Sequence, residues 1–170
     1  MEFEKVIRDR MAIRKFSNEK ISDEIINKIL EAGRVAPTAK NLQPIKIYVV
    51  SSDEGLSKID NASMCRYNAP VSLIVCGNTE EAFSRGDHST YVIDSCIVAT
   101  HMLLEATNVG VDNIWIDLFD EAVLREEFSI PDELVPVALI MLGYRSDDCP
   151  YNVNHDKRKN IDEIVQFIWN

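Results

Sequence analysis

Closely spaced cysteines are missing from this chain. Cys65, Cys76, Cys96 and Cys149 lie too far apart for the paired-ligand spacing of zinc or iron–sulfur sites, and His88, His101 and His155 are just as scattered. No metal site is expected. Glycine and proline are sparse, six of each in 170 residues, while 46% of residues are apolar, which excludes a low-complexity chain and supports one substantial core. The longest apolar runs, residues 71–76 and 135–143, fall well short of the roughly 20 residues that span a bilayer. The chain opens on Glu2, Phe3, Glu4 and Lys5, without an apolar leader. A soluble, cytoplasmic protein of a single domain, residues 1–170, is the expectation.

Positive charge is also in deficit. The formal net charge of −10 repels polyanions, so neither nucleic acid nor an anionic membrane is expected as a partner. Against that background the cations cluster at both ends: Lys5, Arg8, Arg10, Arg14 and Lys15 near the start, and Lys157, Arg158 and Lys159 near the end. For any single lysine, solvated surface charge is the simpler reading. Two such clusters in an acidic chain also suit a small anionic ligand.

Apolar periodicity predicts a first helix over residues 2–11 (Phe3, Val6, Ile7) and a second from Ser22 to about Gly33, with Ser22 as N-cap. A polar loop over 38–43 leads to a strand over 45–50 and a short helix near 53–60. A strand at 71–76 follows. Residues 88–108 carry the longest helical signal, apolar on nearly every side through Val92, Ile93, Cys96, Ile97, Val98 and Met102. Such a helix should be buried in the domain or against a partner subunit, with Cys76 and Cys96 in the core. A strand at 114–116, an acidic helix at 120–128 and a strand at 135–142 come next. The end is amphipathic through Ile161, Ile164, Val165 and Ile168. The order is mixed α+β, without repeats and without a G-x-G-x-x-G or P-loop signature.

Two segments are candidates for chemistry. Arg10 and Arg14 are four apart, so on a continuing helix they would share a face and could converge on one anion through their planar forks. Ion pairs with neighbours such as Asp9 are the simpler account of that motif alone. The second segment, Ala36-Pro37-Thr38-Ala39-Lys40-Asn41-Leu42-Gln43-Pro44, is a loop framed by prolines and rich in amide donors and acceptors. Its Asn and Gln could read the edge of a heteroaromatic ring, or simply satisfy the turn's own backbone.

In order along the chain, these motifs resemble the nitroreductase family of FMN enzymes. Arg10 to Phe16 resembles the family's R-x-S-x-R-x-F element, and Pro37 to Pro44 resembles P-[ST]-x-x-N-x-Q-P before a strand. Ala69-Pro70, Asp94 at the long helix, Gly110-Val111-Asp112, Ile116-Asp117-Leu118-Phe119, Pro131, Gly143-Tyr144 and the basic tail follow in register. The resemblance implies an α+β fold with a central, mostly antiparallel sheet flanked by helices. It also implies a homodimer with the long helix at its interface and two FMN sites there. Arg10 and Arg158 would bind the phosphate, with Met11, Ala12, Lys157 and Lys159 beside them, and Arg14 would face the pyrimidine side of the flavin. Pro37, Thr38, Ala39, Asn41 and Gln43 would come from the other subunit, and backbone at Ile116, Asp117 and Leu118 would face N5. Electrons would pass from NAD(P)H through FMN to a small planar, electron-poor acceptor such as a nitroaromatic or quinone. No side chain is needed as a nucleophile or acid–base pair, because the cofactor carries the redox step.

Ala12 stands where the family commonly has Ser, removing a hydroxyl. Asp117 replaces Glu, one methylene shorter, and Leu118 replaces Gly with its wider φ range. The chain is short for the family, so a substrate lid should be reduced; Tyr67, His88 and Tyr91 are candidates to line the pocket, with a structural role as the rival reading. Dehalogenase or flavin-destroying chemistry, a flavin carrier or sensor without turnover, and a plain acidic binding module are the alternatives. No motif selects NADH over NADPH.

Overall fold

The computed structural model describes residues 2–169. Its centre is a four-stranded antiparallel sheet of β1 (Ile45–Val50), β2 (Val71–Asn78), β6 (Leu134–Gly143) and β5 (Asp112–Ile116), in the order β1-β2-β6-β5. β3 (Ser84–Arg85) and β4 (His88–Ser89) form a separate small hairpin. Alternation along β2 builds a core on each side of the sheet. Ile74 and Cys76 join Leu139, Met141, Ile114 and Leu124 on one side. Val71, Leu73 and Val75 join Ala138, Ile140 and Leu142 on the other. The first side is closed by α3 (Asp53–Ala62) and α5 (Glu121–Phe128), and the second by α2 (Asp23–Arg34) and α4 (Tyr91–Asn108).

Local chemistry sets the element boundaries. Ser22, Ser52 and Asp120 accept hydrogen bonds from the backbone N–H of Ile25, Gly55 and Val123, capping α2, α3 and α5. Pro136 lies within β6 opposite Cys76, where the β2–β6 register shifts. Proline offers no N–H to the ladder, and the irregularity absorbs that loss. At Gly77 an added Cβ would meet Tyr91 Cδ2 at 2.8 Å and the Tyr91 carbonyl at 2.9 Å, so glycine lets the start of α4 press on β2. Tyr91 thus has a packing role against β2.

Three expectations change: the end of the first helix, the start of α4 and the burial of Cys96. The first helix, α1, spans Phe3–Asp9 and stops before Arg10. α4 begins at Tyr91, because His88 belongs to the hairpin. α4 is not buried all round within the chain: Val98, Ala99 and Met102 are in the core, while Val92 and Ile93 are 43% and 47% exposed and Cys96 is only half-buried. The apolar residues near the end form no helix beyond a single 3-10 turn, Ile161–Glu163, and Ile161, Ile164, Phe167, Ile168 and Trp169 are exposed.

Candidate functional site

Past α1 the chain is extended. Arg10 sits at the helix end with ψ 112°, Ala12 bridges Asn113 in parallel, and Ile13 N–H donates to the Asn113 carbonyl at 3.1 Å. Phe16 then bridges Arg145. Met11, Ile13 and Phe16 enter the core, leaving Arg10 half-buried and Arg14 exposed on the opposite side. Arg10 and Arg14 thus share a side by the two-residue period of a strand, not by a helical turn. Their Cα atoms are about 13 Å apart at strand rise, too far for the one-turn convergence that a helix would give.

The arginine whose charge reaches Arg10 is Arg158. Burial first, and the Arg158 charge second, hold the Arg10 guanidinium below the usual arginine pKa. Among the described residues neither arginine has a carboxylate partner, since nearby acids are taken: Asp9 by Lys5, Glu4 by Arg8 and Asp148 by Lys15. Lys157 Nζ donates to Asn154 Oδ1 at 2.9 Å, and Lys159 is exposed. The tail that carries Arg158 is tied back by His155, whose Nε2 donates to the Arg8 carbonyl at 2.8 Å. Nothing in the sequence pattern signals that bond.

The proline-framed loop is built from strained backbone. Lys40, Asn41 and Gln43 have φ of 52°, 56° and 55°, a left-handed region costly for side chains other than Asn or Asp. Local bonds hold it: Gln43 N–H to Thr38 Oγ1 at 3.0 Å, Gln43 Nε2 to the Asn41 carbonyl at 3.0 Å, and Asn41 N–H to the Thr38 carbonyl at 2.9 Å. Lys40 Nζ lies 4.2 Å from the centre of the Phe83 ring, joining the loop to the hairpin segment. Asp94, in the first turn of α4, accepts the Ala39 N–H at 2.8 Å. The cavity beside Thr38 and Gln43 is about 230 Å³ and otherwise mainly apolar, through Ile45, Ile47 and Val98. That is below the roughly 300–1,000 Å³ of a small-molecule site.

The loop and the segment around Arg10 lie towards opposite ends of α4 within one chain. Asp94 marks the loop at one end of α4, while Asp9 and Met11 share a recess with Thr107 and Gly110 at the other. Thirteen helical residues separate Asp94 from Thr107, about 20 Å. Between these ends, Ile116 is buried, Asp117 lies close enough to Cys96 to raise its thiol pKa (burial being the larger cause), and Leu118 is 68% exposed. The Leu118 carbonyl accepts the Ser63 hydroxyl at 2.7 Å, and its φ is not positive, so Leu for Gly costs nothing in backbone conformation here. Tyr67 has φ 54° and its carbonyl takes Phe16 N–H at 3.1 Å, and its phenol contacts the Cys65 and Arg14 side chains. It lies beside Arg14, while His88 is exposed on the hairpin.

No helix among the described residues is long and apolar enough to cross a membrane, and no metal-binding cluster of His, Cys, Asp or Glu occurs among them. The sequence profile of the nitroreductase family matches residues 7–68 and 66–144. A provisionally named NADH dehydrogenase/NAD(P)H nitroreductase of Archaeoglobus fulgidus is 32% identical, over 97% of each chain. A nitroreductase family protein from Clostridium difficile 630 superposes with a TM-score of 0.91 at 34% identity, covering 98% of both chains. A nitroreductase-like protein of Exiguobacterium sibiricum, solved in complex with FMN, shares the fold at 22% identity and a TM-score of 0.86, covering 99% of this chain and 98% of its own. With the profile spanning most of its length, this chain belongs to the nitroreductase family.

Proposed function

We propose that this chain is an FMN-dependent oxidoreductase, passing electrons from NAD(P)H to a planar electron-poor acceptor such as a nitroaromatic or quinone. The observation that carries the reading is that the Arg158 charge reaches half-buried Arg10 while, among the described residues, neither has a carboxylate partner. A half-buried guanidinium within reach of a second one is destabilised until an anion joins them, and a phosphate suits their forks. The names of the relatives support the rest, through NAD(P)H for the Archaeoglobus protein and FMN for the Exiguobacterium one.

In this reading Arg10 and Arg158 hold the FMN phosphate, with Lys157 and Lys159 adding positive field and Met11 and Ala12 lining the approach. Arg14, about 13 Å further along the strand-like segment, lies at the pyrimidine side, where its charge favours electron density on the ring. Backbone at Ile116, Asp117 and Leu118 borders the reactive edge. Bound FMN would supply the redox chemistry between nicotinamide and acceptor. Pro37, Thr38, Ala39, Asn41 and Gln43 reach the ligand from a second copy, because about 20 Å of helix separates them from the arginines of their own chain.

Two apolar surfaces support that homodimer. One is the open side of α4, with Val92 and Ile93 flanked by half-buried Cys96 and Ile97. The other is the tail, where Ile161, Ile164, Phe167, Ile168 and Trp169 are each at least 59% exposed. Burying one large apolar side chain is worth about 1.5–3 kcal/mol, so a second protomer has ample reason to cover them. Four unpaired thiols support a reducing, cytoplasmic setting.

The purified protein should be yellow, gain thermal stability from added FMN, and oxidise NADH or NADPH when menadione or a nitrofuran is present. A colourless protein whose melting temperature ignores FMN would falsify the reading. A yellow protein that neither nucleotide bleaches without oxygen would leave flavin binding and remove the nicotinamide enzyme.

A further inference from the structure

Asp94 is a carboxyl group buried in α4, 1% exposed, beside the buried Ser95 and the apolar Val98, Ala99 and Met102. Both oxygens are used. Oδ1 accepts the Ala39 N–H at 2.8 Å and Oδ2 accepts the Thr90 hydroxyl at 2.8 Å. The first bond spans 55 residues of sequence and lands on the residue that opens the 3-10 turn Ala39–Asn41. Immediately beyond it come the three left-handed residues Lys40, Asn41 and Gln43. A backbone in that region persists only where its surroundings over-determine it. Of the loop's remaining hydrogen bonds, those among Thr38, Ala39, Asn41, Leu42 and Gln43 stay within the loop, and Ile45 N–H to the Gln43 carbonyl at 2.8 Å ties only its far end to β1, so at its opening residue the Asp94 bond is the one that reaches the helical layer.

We propose that Asp94 is the positioning residue that sets the 38–43 loop for cofactor capture, clamping it to the same helix turn whose Ile93 lies on the open apolar face. This inference rests on the FMN reading of that loop. With the clamp made, the loop meets the ligand already ordered, so little conformational entropy is lost on binding. Without it, Lys40, Asn41 and Gln43 relax towards ordinary φ values, and the donors and acceptors of Asn41 and Gln43 scatter. Asp94 touches no ligand in this account; it acts through Ala39. The same turn ties loop geometry to whatever covers Ile93, so assembly and cofactor affinity are linked.

Three variants separate positioning from mere stability. Asp94→Ala loses both bonds. Asp94→Asn keeps both, because its amide oxygen still accepts from Ala39 while its NH2 donates to a Thr90 hydroxyl turned to accept. Ala39→Pro removes the N–H while leaving Asp94 and its bond to Thr90 in place, and the position tolerates proline because Thr38 is already extended at ψ 161° and Ala39 starts the turn. FMN titration of the full-length protein should show at least tenfold weaker binding for Asp94→Ala and Ala39→Pro, and Asp94→Asn within threefold of wild type. In the protein stripped of FMN, amide exchange at Asn41 and Gln43 should quicken at least tenfold in Asp94→Ala, while the amides of β2 and β6 keep their protection. Unchanged FMN affinity in Asp94→Ala, or in Ala39→Pro if Asp94→Ala does not fold, overturns the proposal. An Asp94→Asn variant as weak as Asp94→Ala does the same. A wild-type protein that binds no FMN instead overturns the FMN reading, while the exchange measurement still reports on the clamp.

Discussion

Gln43 and Arg158 stand on two parts of the molecule that are held in place very differently. The loop carrying Gln43 is fastened by bonds within itself, by Lys40 on Phe83 and by the buried Asp94. Arg158 rides on a tail whose hydrogen bonds past Pro150 stay local, apart from the one from His155 to Arg8. The loop has its ordering cost met by its own chain before any ligand arrives. The tail does not, and its arginine faces another cation until an anion intervenes. A site made this way has a rigid wall and a charged latch, and on the proposed reading each wall meets the latch of another protomer.

The largest expected effect comes from preventing that meeting. Ile93→Glu puts a charge on the open face of α4, where Ile93 is 47% exposed and a second copy would bury it. A buried charge without a partner costs several kcal/mol, and symmetry applies the change twice. Light scattering after size exclusion at micromolar protein should show a dimer for wild type and a monomer for the variant, with FMN lost from the monomer. A variant that stays dimeric and yellow would show that α4 does not bring the two halves together.

Smaller, but still large, is the effect of emptying the latch. A hydrogen bond to a charged group is worth about 1.5–3 kcal/mol, so Arg10→Ala and Arg158→Ala should each weaken FMN binding roughly tenfold to a hundredfold. Arg10→Ala should be the worse, since Arg10 is half-buried and already placed by the Ala12–Asn113 bridge. Lys5→Ala, which removes only a partner of Asp9, should stay within twofold. Equal retention in all three, followed by flavin fluorescence, would remove the phosphate site.

Why the wall was more legible in the sequence than the latch follows from the range of the interactions. The strands and α2 carry dense periodicity and caps, and they lie where the pattern puts them. The loop was bracketed by Pro37 and Pro44, so its extent was readable although its left-handed residues were not. The first helix was carried two residues too far, to residue 11, because the spacing of Phe3, Val6 and Ile7 continues smoothly, whereas the alternation of buried Met11 and Ile13 is decided by a bridge to Asn113. The hairpin at Ser84–Arg85 and His88–Ser89 has no apolar alternation at all and left no signal. Asp94 was legible only as part of the family resemblance, because its partner lies 55 residues away. At the end of the chain, Ile161, Ile164, Val165 and Ile168 were read as an amphipathic face, and within one protomer there is no core for them to join.

The smallest effect tests the tether itself. His155→Ala removes the bond to the Arg8 carbonyl and leaves every arginine in place. An exposed hydrogen bond contributes about 0.5–1.5 kcal/mol, so if this tether is what keeps Arg158 near Arg10, FMN should bind roughly twofold to tenfold more weakly. The loss should appear as faster release, because the latch opens more often while the wall is unchanged. Stopped-flow dissociation of FMN from wild type and variant measures it directly. If release is unaltered, the tail is held by contacts with the second protomer, and the apolar residues from Ile161 to Trp169 become its anchor. In that case His155→Ala combined with Trp169→Ser should release FMN faster than Trp169→Ser alone, since the hydrogen bond matters only once the apolar hold is weakened.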